Sequence, residues 1–166
     1  MIKEELRDIK ELGYEAFYIP DDIFAINLEK VRPYLYAIKK SGLIFRCNAH
    51  AKYMNDEFAA ALKDAGCYEL SFGIESGSQK ILDNVGKKTS VQQNYDFIKI
   101  AKIHDIRIKA YLMLGLPGED YKTISETEEF IQKAMGIYGL DDFQLSIYYP
   151  YKGTKIRKLM DQGDDI

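Results

Sequence analysis

Cysteine is scarce in this chain of 166 residues: there are two, Cys47 and Cys67, too far apart for a C-x-x-C metal or redox motif. Two solitary cysteines are expected as buried thiols. Histidine is equally rare, with two, and no Ser-His-Asp or Cys-His arrangement, phosphate-binding loop or zinc signature can be assembled. No apolar run approaches the ~20 residues that a membrane span requires. The first residues, Met1 to Leu6, are charged and helical in pattern, unlike a signal peptide, so the cytoplasm is the expected compartment. The 23 Lys and Arg are outnumbered by 26 Asp and Glu, giving a net charge of −3. Those basic residues are scattered along the sequence, so a nucleic-acid partner is not indicated, nor is a membrane. With four prolines, no linker and no low-complexity stretch, the chain reads as one domain, large enough to bury roughly 70% of its unfolded surface.

What is present is a regular alternation of helical and strand patterns. Ile2 to Leu12 has apolar residues at helical spacing and stops at Gly13; Tyr14 to Ile19 reads as a strand. Asn27 can cap a helix from Leu28 to Lys40, although Pro33 is expected to bend or fray it. Leu43 to Cys47 is the next strand. Asn55 caps a helix through Ala65, followed by the strand Tyr68 to Ile74 and a short helix from Gln79 to Val85. Ser90 and Gln93 form a capping-box pattern for a helix to about His104, and Thr123 with Glu126 repeats that pattern for a helix from Ile124 to Tyr138. Ile106 to Leu114 and Phe143 to Tyr148 are the remaining strands, and Thr154 to Met160 starts a last helix. Repeated βα units of this size predict one parallel sheet.

The ends of these strands carry the chemistry. Ser71-Phe72-Gly73-Ile74-Glu75-Ser76-Gly77-Ser78 runs an apolar strand into an acid and two glycines, which is how a parallel strand delivers a carboxylate to a ligand; the glycines are expected to let that ligand approach the backbone. Asp21 and Asp22 follow the first strand, where they suit an ammonium group or a metal, or an Asx turn. Acids there would repel a pyrophosphate, which argues against a dinucleotide fold. Lys109 interrupts an apolar strand and needs a carboxylate partner or a wet cavity; Arg46 and Asn48 raise the same question one strand over, with Glu69 as an alternative structural partner. Leu116-Pro117-Gly118-Glu119 is a stiff turn suited to a flat heteroaromatic ring. His104 suits a helix C-terminus, and His50 is a weak candidate for the cavity. Polar groups at nearly every strand end predict strands around one cavity: a partial TIM-like (β/α) barrel of about five parallel strands. Residues 1–160 are assigned to it and the acidic tail 161–166 is left unstructured.

Taken in order, Phe17 to Phe24, Phe45-Arg46-Cys47-Asn48-Ala49-His50, Ala65 to Ser78, Leu114 to Glu119 and Tyr149-Pro150-Tyr151-Lys152-Gly153-Thr154 resemble the radical S-adenosylmethionine (radical SAM) superfamily, in its cobalamin-dependent and methylthiotransferase-type branch. The resemblance implies a six-stranded partial barrel with SAM across the strand ends and a [4Fe–4S] cluster, and in some members cobalamin. It implies contacts from Asp21 and Asp22 to the methionyl amino group, from Glu75 and Ser76 to the ribose or methionyl moiety, from Lys109 to the methionyl carboxylate, and from Leu116, Pro117 and Gly118 to the adenine. Asn48 is counted with them. The family holds its cluster by three cysteines in a C-x-x-x-C-x-x-C loop, which this sequence lacks. The first strand and that loop are therefore expected upstream of Met1, the chain being strands two to six of an enzyme that cleaves SAM reductively to a 5′-deoxyadenosyl radical, and inactive alone. Tyr151-Lys152-Gly153 also departs from the family's usual turn. The rival expectation is a non-enzymatic barrel without a cluster that binds a small molecule or a protein; self-association through an open sheet edge is expected in either case.

Overall fold

The helical and strand patterns condense into six helices and a five-stranded sheet in a computed structural model that describes residues 2–154 and Arg157. The expected tail 161–166 and most of the expected last helix fall outside the described residues. Helix α1 (Ile2–Glu11) ends in a glycine turn: Gly13, at φ +85°, donates to Lys10 O, and Tyr14 N–H bonds back to Ile9 O. Those bonds hold Leu12 to Tyr14 to the helix, so strand β1 (Ala16–Ile19) is shorter than its apolar pattern predicts. Asn27 caps α2 (Leu28–Ser41) by accepting from Lys30 N at 3.0 Å, and the helix runs through Pro33 to a left-handed Gly42. Strand β2 (Ile44–Ala49) is followed by a single 3₁₀ turn over Ala51–Tyr53 and by α3 (Asp56–Asp64), capped by Asn55.

Strand β3 (Cys67–Glu75) leads into the six-residue α4 (Gln79–Asn84), and α5 (Val91–Ile103) begins in the expected capping box of Ser90 and Gln93. Strand β4 (Arg107–Leu114) precedes α6 (Tyr121–Lys133), whose cap is Asp120, three residues earlier than the Thr123–Glu126 pattern suggests. Asp120 accepts from Thr123 N at 2.9 Å while Thr123 Oγ1 accepts from Asp120 N at 2.8 Å. The Thr123 amide and the Lys80 ammonium pull the Asp120 carboxyl down to about 2. Glu126, which the expected box would have used, accepts the hydroxyl of Ser78 instead. After α6 the backbone widens into one π-helical turn, Ala134–Tyr138, before β5 (Asp142–Ile147).

All five strands are parallel and lie in chain order, β1 to β5. Right-handed crossovers in that order put the helices on one face, and alternate residues of the strands fill the layer beneath them. Phe45, Cys47 and Ala49, then Leu70, Phe72 and Ile74, then Ile108, Ala110 and Leu112 are all buried there. Phe72 stacks on Phe97 of α5 at 4.1 Å, and Tyr95 stacks on Phe130 of α6 at 4.5 Å. The other face carries Tyr18, Arg46, Asn48, Glu69, Ser71, Lys109 and Tyr111, which is the polar lining of a barrel wall. The architecture is the partial (β/α) barrel that the strand ends predict.

Candidate functional site at the strand ends

Glu75 closes β3 with its backbone in the left-handed region, φ 67°, a conformation that costs a non-glycine residue about 1–3 kcal/mol and persists where the surroundings dictate it. Its carboxylate folds back along the strand to the Lys87 ammonium, 2.8 Å away, both side chains about four-fifths buried at 22% and 18% exposure. Gly73 makes this fold-back available: a Cβ there would run into Glu75 Oε1 and stand 3.0 Å from Lys87 Nζ. Gly77 has a different task. A Cβ on it would meet Thr127 Cα at 2.7 Å and Glu126 O at 2.9 Å, so Gly77 seats the turn against α6, not against a ligand as its sequence position suggests.

Ser76 is fully buried. Its hydroxyl lies 3.0 Å from Thr127 Oγ1 and accepts from Ser78 N at 3.1 Å, so its hydrogen bonding is spent on the turn and on α6. On the next strand Asn48 ties two ends together: its side-chain amide nitrogen donates to Tyr18 Oη and to the Asp21 backbone carbonyl, both at 3.0 Å, and its backbone carbonyl accepts from Phe24 N and Ala25 N. Asn48 thereby holds the Asp21-Asp22 turn over the sheet, and both of those aspartates stay exposed. His50 sits beyond it, with Nδ1 accepting from Lys52 N at 3.2 Å. Burial, and then the positive charges of Lys87 and Lys52, push the His50 imidazole below its ordinary range against an opposing pull from Glu75. His50, Glu75 and Lys87 thus share one electrostatic neighbourhood.

Lys109 does not reach this rim. It is the third residue of the eight in β4, pairs in register with Ser71, and meets Asp142 at 3.2 Å, so the carboxylate partner it needs is on the neighbouring strand. Along β4 Lys109 lies three residues before Leu112, the register partner of Glu75, about 10 Å. The cation that does stand beside Glu75 is Lys87, which sequence reasoning passed over; the available signal was Gly86-Lys87, where the short α4 turns back toward the strand that precedes it. Leu116 is buried at 6% exposure, Pro117 O accepts from Asn84 Nδ2 at 3.2 Å, and the space beside Gly118, φ +78°, is filled by that same amide. Gly115 N donates to Glu119 Oε2 at 2.5 Å, which closes the turn. The loop after β4 is therefore a rigid shelf braced on α4, with the Leu116 side chain turned into the core.

The sequence profile of the Radical SAM superfamily matches residues 1–131. The chain belongs to the radical SAM superfamily. It is 31% identical over 148 residues to an uncharacterized methyltransferase of Pyrococcus horikoshii, covering 88% of this chain and 31% of that protein. It is 28% identical over 121 residues to a tRNA-2-methylthio-N(6)-dimethylallyladenosine synthase of Thermoanaerobacter sp., covering 70% of this chain and 25% of that one. Among solved structures, the radical SAM methyltransferase TsrM of Kitasatospora setae, with cobalamin and a [4Fe–4S] cluster bound, superposes with a TM-score of 0.73 at 16% identity over 87% of this chain and 29% of its own. The sequence relatives are of methyltransferase and methylthiotransferase type, the solved structure shares the fold, and nothing in these likenesses supports the non-enzymatic rival. The chain spans about a third or less of the length of these relatives.

A radical SAM core implies SAM and a [4Fe–4S] cluster. The residues present do not fit the cluster. Cys47 and Cys67 lie buried on the helix-covered side, and the Cys67 neighbour together with burial holds the Cys47 thiol well above its ordinary range, against the thiolate that iron needs. Among the described residues no group of three or more His, Cys, Asp and Glu is disposed to hold a metal ion. They fit SAM better: the rim offers an ammonium, a carboxylate and two exposed aspartates to a ligand that carries an amino group, a carboxylate and ribose hydroxyls.

Proposed function

We propose that this chain is the SAM-holding barrel portion of a radical SAM enzyme which, in its complete form, cleaves SAM reductively to a 5′-deoxyadenosyl radical. The observation that carries the reading is the Glu75–Lys87 pair, set by a left-handed backbone over a glycine at the end of a central strand. Such a pair is preorganised, with both ends partly desolvated, so a zwitterionic ligand meets charge that needs no rearrangement. Lys87 would receive the methionyl carboxylate, Glu75 the ribose hydroxyls or the ammonium, and Asp21 and Asp22 the methionyl amino group. Asn48 acts by holding the aspartate turn, Pro117 and Gly118 border the adenine, and Ser76, Leu116 and Lys109 support the wall around them. Cobalamin belongs to the complete protein if it follows its methyltransferase relatives.

Among the described residues no helix is long and apolar enough to cross a membrane. With two free thiols in addition, we infer the cytoplasm as the compartment. We also infer self-association of the isolated chain through β1.

Titration calorimetry with S-adenosylhomocysteine tests the site. Without a cluster to chelate the amino acid end, binding should be weak, with Kd of the order of 1 mM. Glu75→Ala and Lys87→Ala should each weaken it by about tenfold or more, since a hydrogen bond to a charged group is worth roughly 1.5–3 kcal/mol. Micromolar binding that survives both substitutions would put the pocket elsewhere.

A further inference from the structure

Away from the rim, the polar face of the sheet carries a row of charges that neither the core nor the Glu75 site uses. Arg46, Glu69 and Arg107 stand side by side on β2, β3 and β4, paired in register. A bulge makes the row: Phe45 pairs with Cys67 and Arg46 with Glu69, which leaves Tyr68 as the extra residue. Without that extra residue Arg46 would face Tyr68, and Glu69 would turn toward the helices, because a one-residue slip exchanges the two faces of a strand.

Among the described residues the row is unbalanced, with two guanidiniums against one carboxylate. Arg46 Nη1 lies 3.4 Å from Glu69 Oε1 and Arg107 Nε lies 4.0 Å from Oε2, so neither makes the two-pronged contact that guanidinium and carboxylate prefer. A purely structural cross-strand ladder would gain most by closing those pairs. Here the carboxylate is sunk, at 14% exposure, and the guanidiniums stand above it at 42% and 63%. The Tyr18 ring lies 4.9 Å from the Arg46 guanidinium carbon and fixes the plane of that fork. One row nearer the rim, Lys109 is already matched by Asp142. The excess positive charge therefore stays at Arg46 and Arg107, in a chain whose net charge is −3.

We propose that Arg46 and Arg107 form an anion site on the inner wall, gripping a phosphate or carboxylate group of a ligand, with Glu69 beneath them as the counter-ion that keeps the two forks aligned. Along β4 this row lies five residues before Leu112, the register partner of Glu75, about 17 Å, so this site is distinct from the rim. Calling that ligand the substrate rests on the function proposed above; the anion site itself does not.

The test is calorimetric titration of the chain with inorganic phosphate and, separately, citrate, at constant ionic strength in chloride, with S-adenosylhomocysteine run in parallel. Saturable binding of at least one anion is expected, weakened about tenfold or more in R46Q and in R107Q, since charge-assisted forks carry the contact. Phosphate alone would mark a phosphorylated ligand and citrate alone a carboxylate. Arg107 is the more exposed, so R107Q and R107K keep the test open if R46Q loses its native circular dichroism; R107K should fall between wild type and R107Q. Absence of saturable binding by both anions, or binding unchanged in the R46Q/R107Q double variant, overturns the proposal. Loss of S-adenosylhomocysteine binding alone would overturn only the SAM reading.

Discussion

Single side chains on the sheet divide into those whose role is visible in local sequence and those whose role depends on what folds back onto them. The position of Glu75 was legible, because an apolar parallel strand that runs into an acid and glycines sets that carboxylate at the strand end. Its partner was not: Lys87 and Lys109 look alike in sequence, and only the short α4, which returns the chain beside β3, brings Lys87 to the carboxylate. Arg46 was legible in its alternative form, as the partner of Glu69, but the bulge that sets their pairing leaves no mark in composition or period. Asn94 was not legible at all. It is fully buried in α5, and neither its amide nitrogen nor its amide oxygen has a partner among the described residues. A buried amide left unpaired costs about 1–3 kcal/mol, and leucine is also the better helix former. Asn94→Leu should therefore raise stability by about 1 kcal/mol, read as a higher denaturant midpoint at unchanged slope. A loss of comparable size in Asn94→Leu and also in the smaller Asn94→Ala would show that a bound water or ligand satisfies the amide in solution, whereas a loss in leucine alone would mark overpacking.

Helices and strands were the most legible, since caps and glycine stops are local chemistry: Asn27, Asn55 and the Ser90–Gln93 box cap the helices they were expected to cap. The misses have local causes too. The Leu12 to Tyr14 turn shortens β1, and the cap of α6 moves to Asp120 because Glu126 is drawn to Ser78 across the fold. That tie belongs to a contact which fixes α6 to the end of β3. Thr127 Oγ1 accepts from Gly77 N at 3.1 Å, and Gly77 lies so close to α6 that no side chain fits between them. Gly77→Ala should push α6 outward and cost about 1–3 kcal/mol, the usual range for overpacking. Chemical denaturation measures the loss. Because α6 does not touch Lys87 or Glu75 through this contact, residual S-adenosylhomocysteine binding at saturating ligand should persist, whereas a ligand seated on Gly77 itself would lose it.

The sheet as a unit ends in two unpaired edges. Strand β1 pairs only with β2 and strand β5 only with β4 among the described residues, so each presents a row of free backbone donors and acceptors. The β1 side is the more exposed to recruitment. A cavity of about 530 Å³ opens next to it, lined by apolar side chains that include Ile2, Leu6, Phe17, Ile19 and Val31. An open edge beside an apolar groove offers an incoming strand both hydrogen bonds and burial, a combination that soluble proteins normally screen with charge or a covering element. On β5 the neighbouring surface is also apolar, with Leu145 46% and Ile147 84% exposed. The isolated chain should therefore self-associate as its concentration rises, and a charge placed on the edge at the exposed Ala16 should oppose it. Light scattering across a wide concentration range, on wild type and on Ala16→Lys, distinguishes the outcomes. Mass that grows with concentration in wild type and falls back toward one chain in Ala16→Lys locates the contact at β1; equal growth in both moves it to β5, and a clean monomer throughout would show that the groove and edge are covered from within the chain.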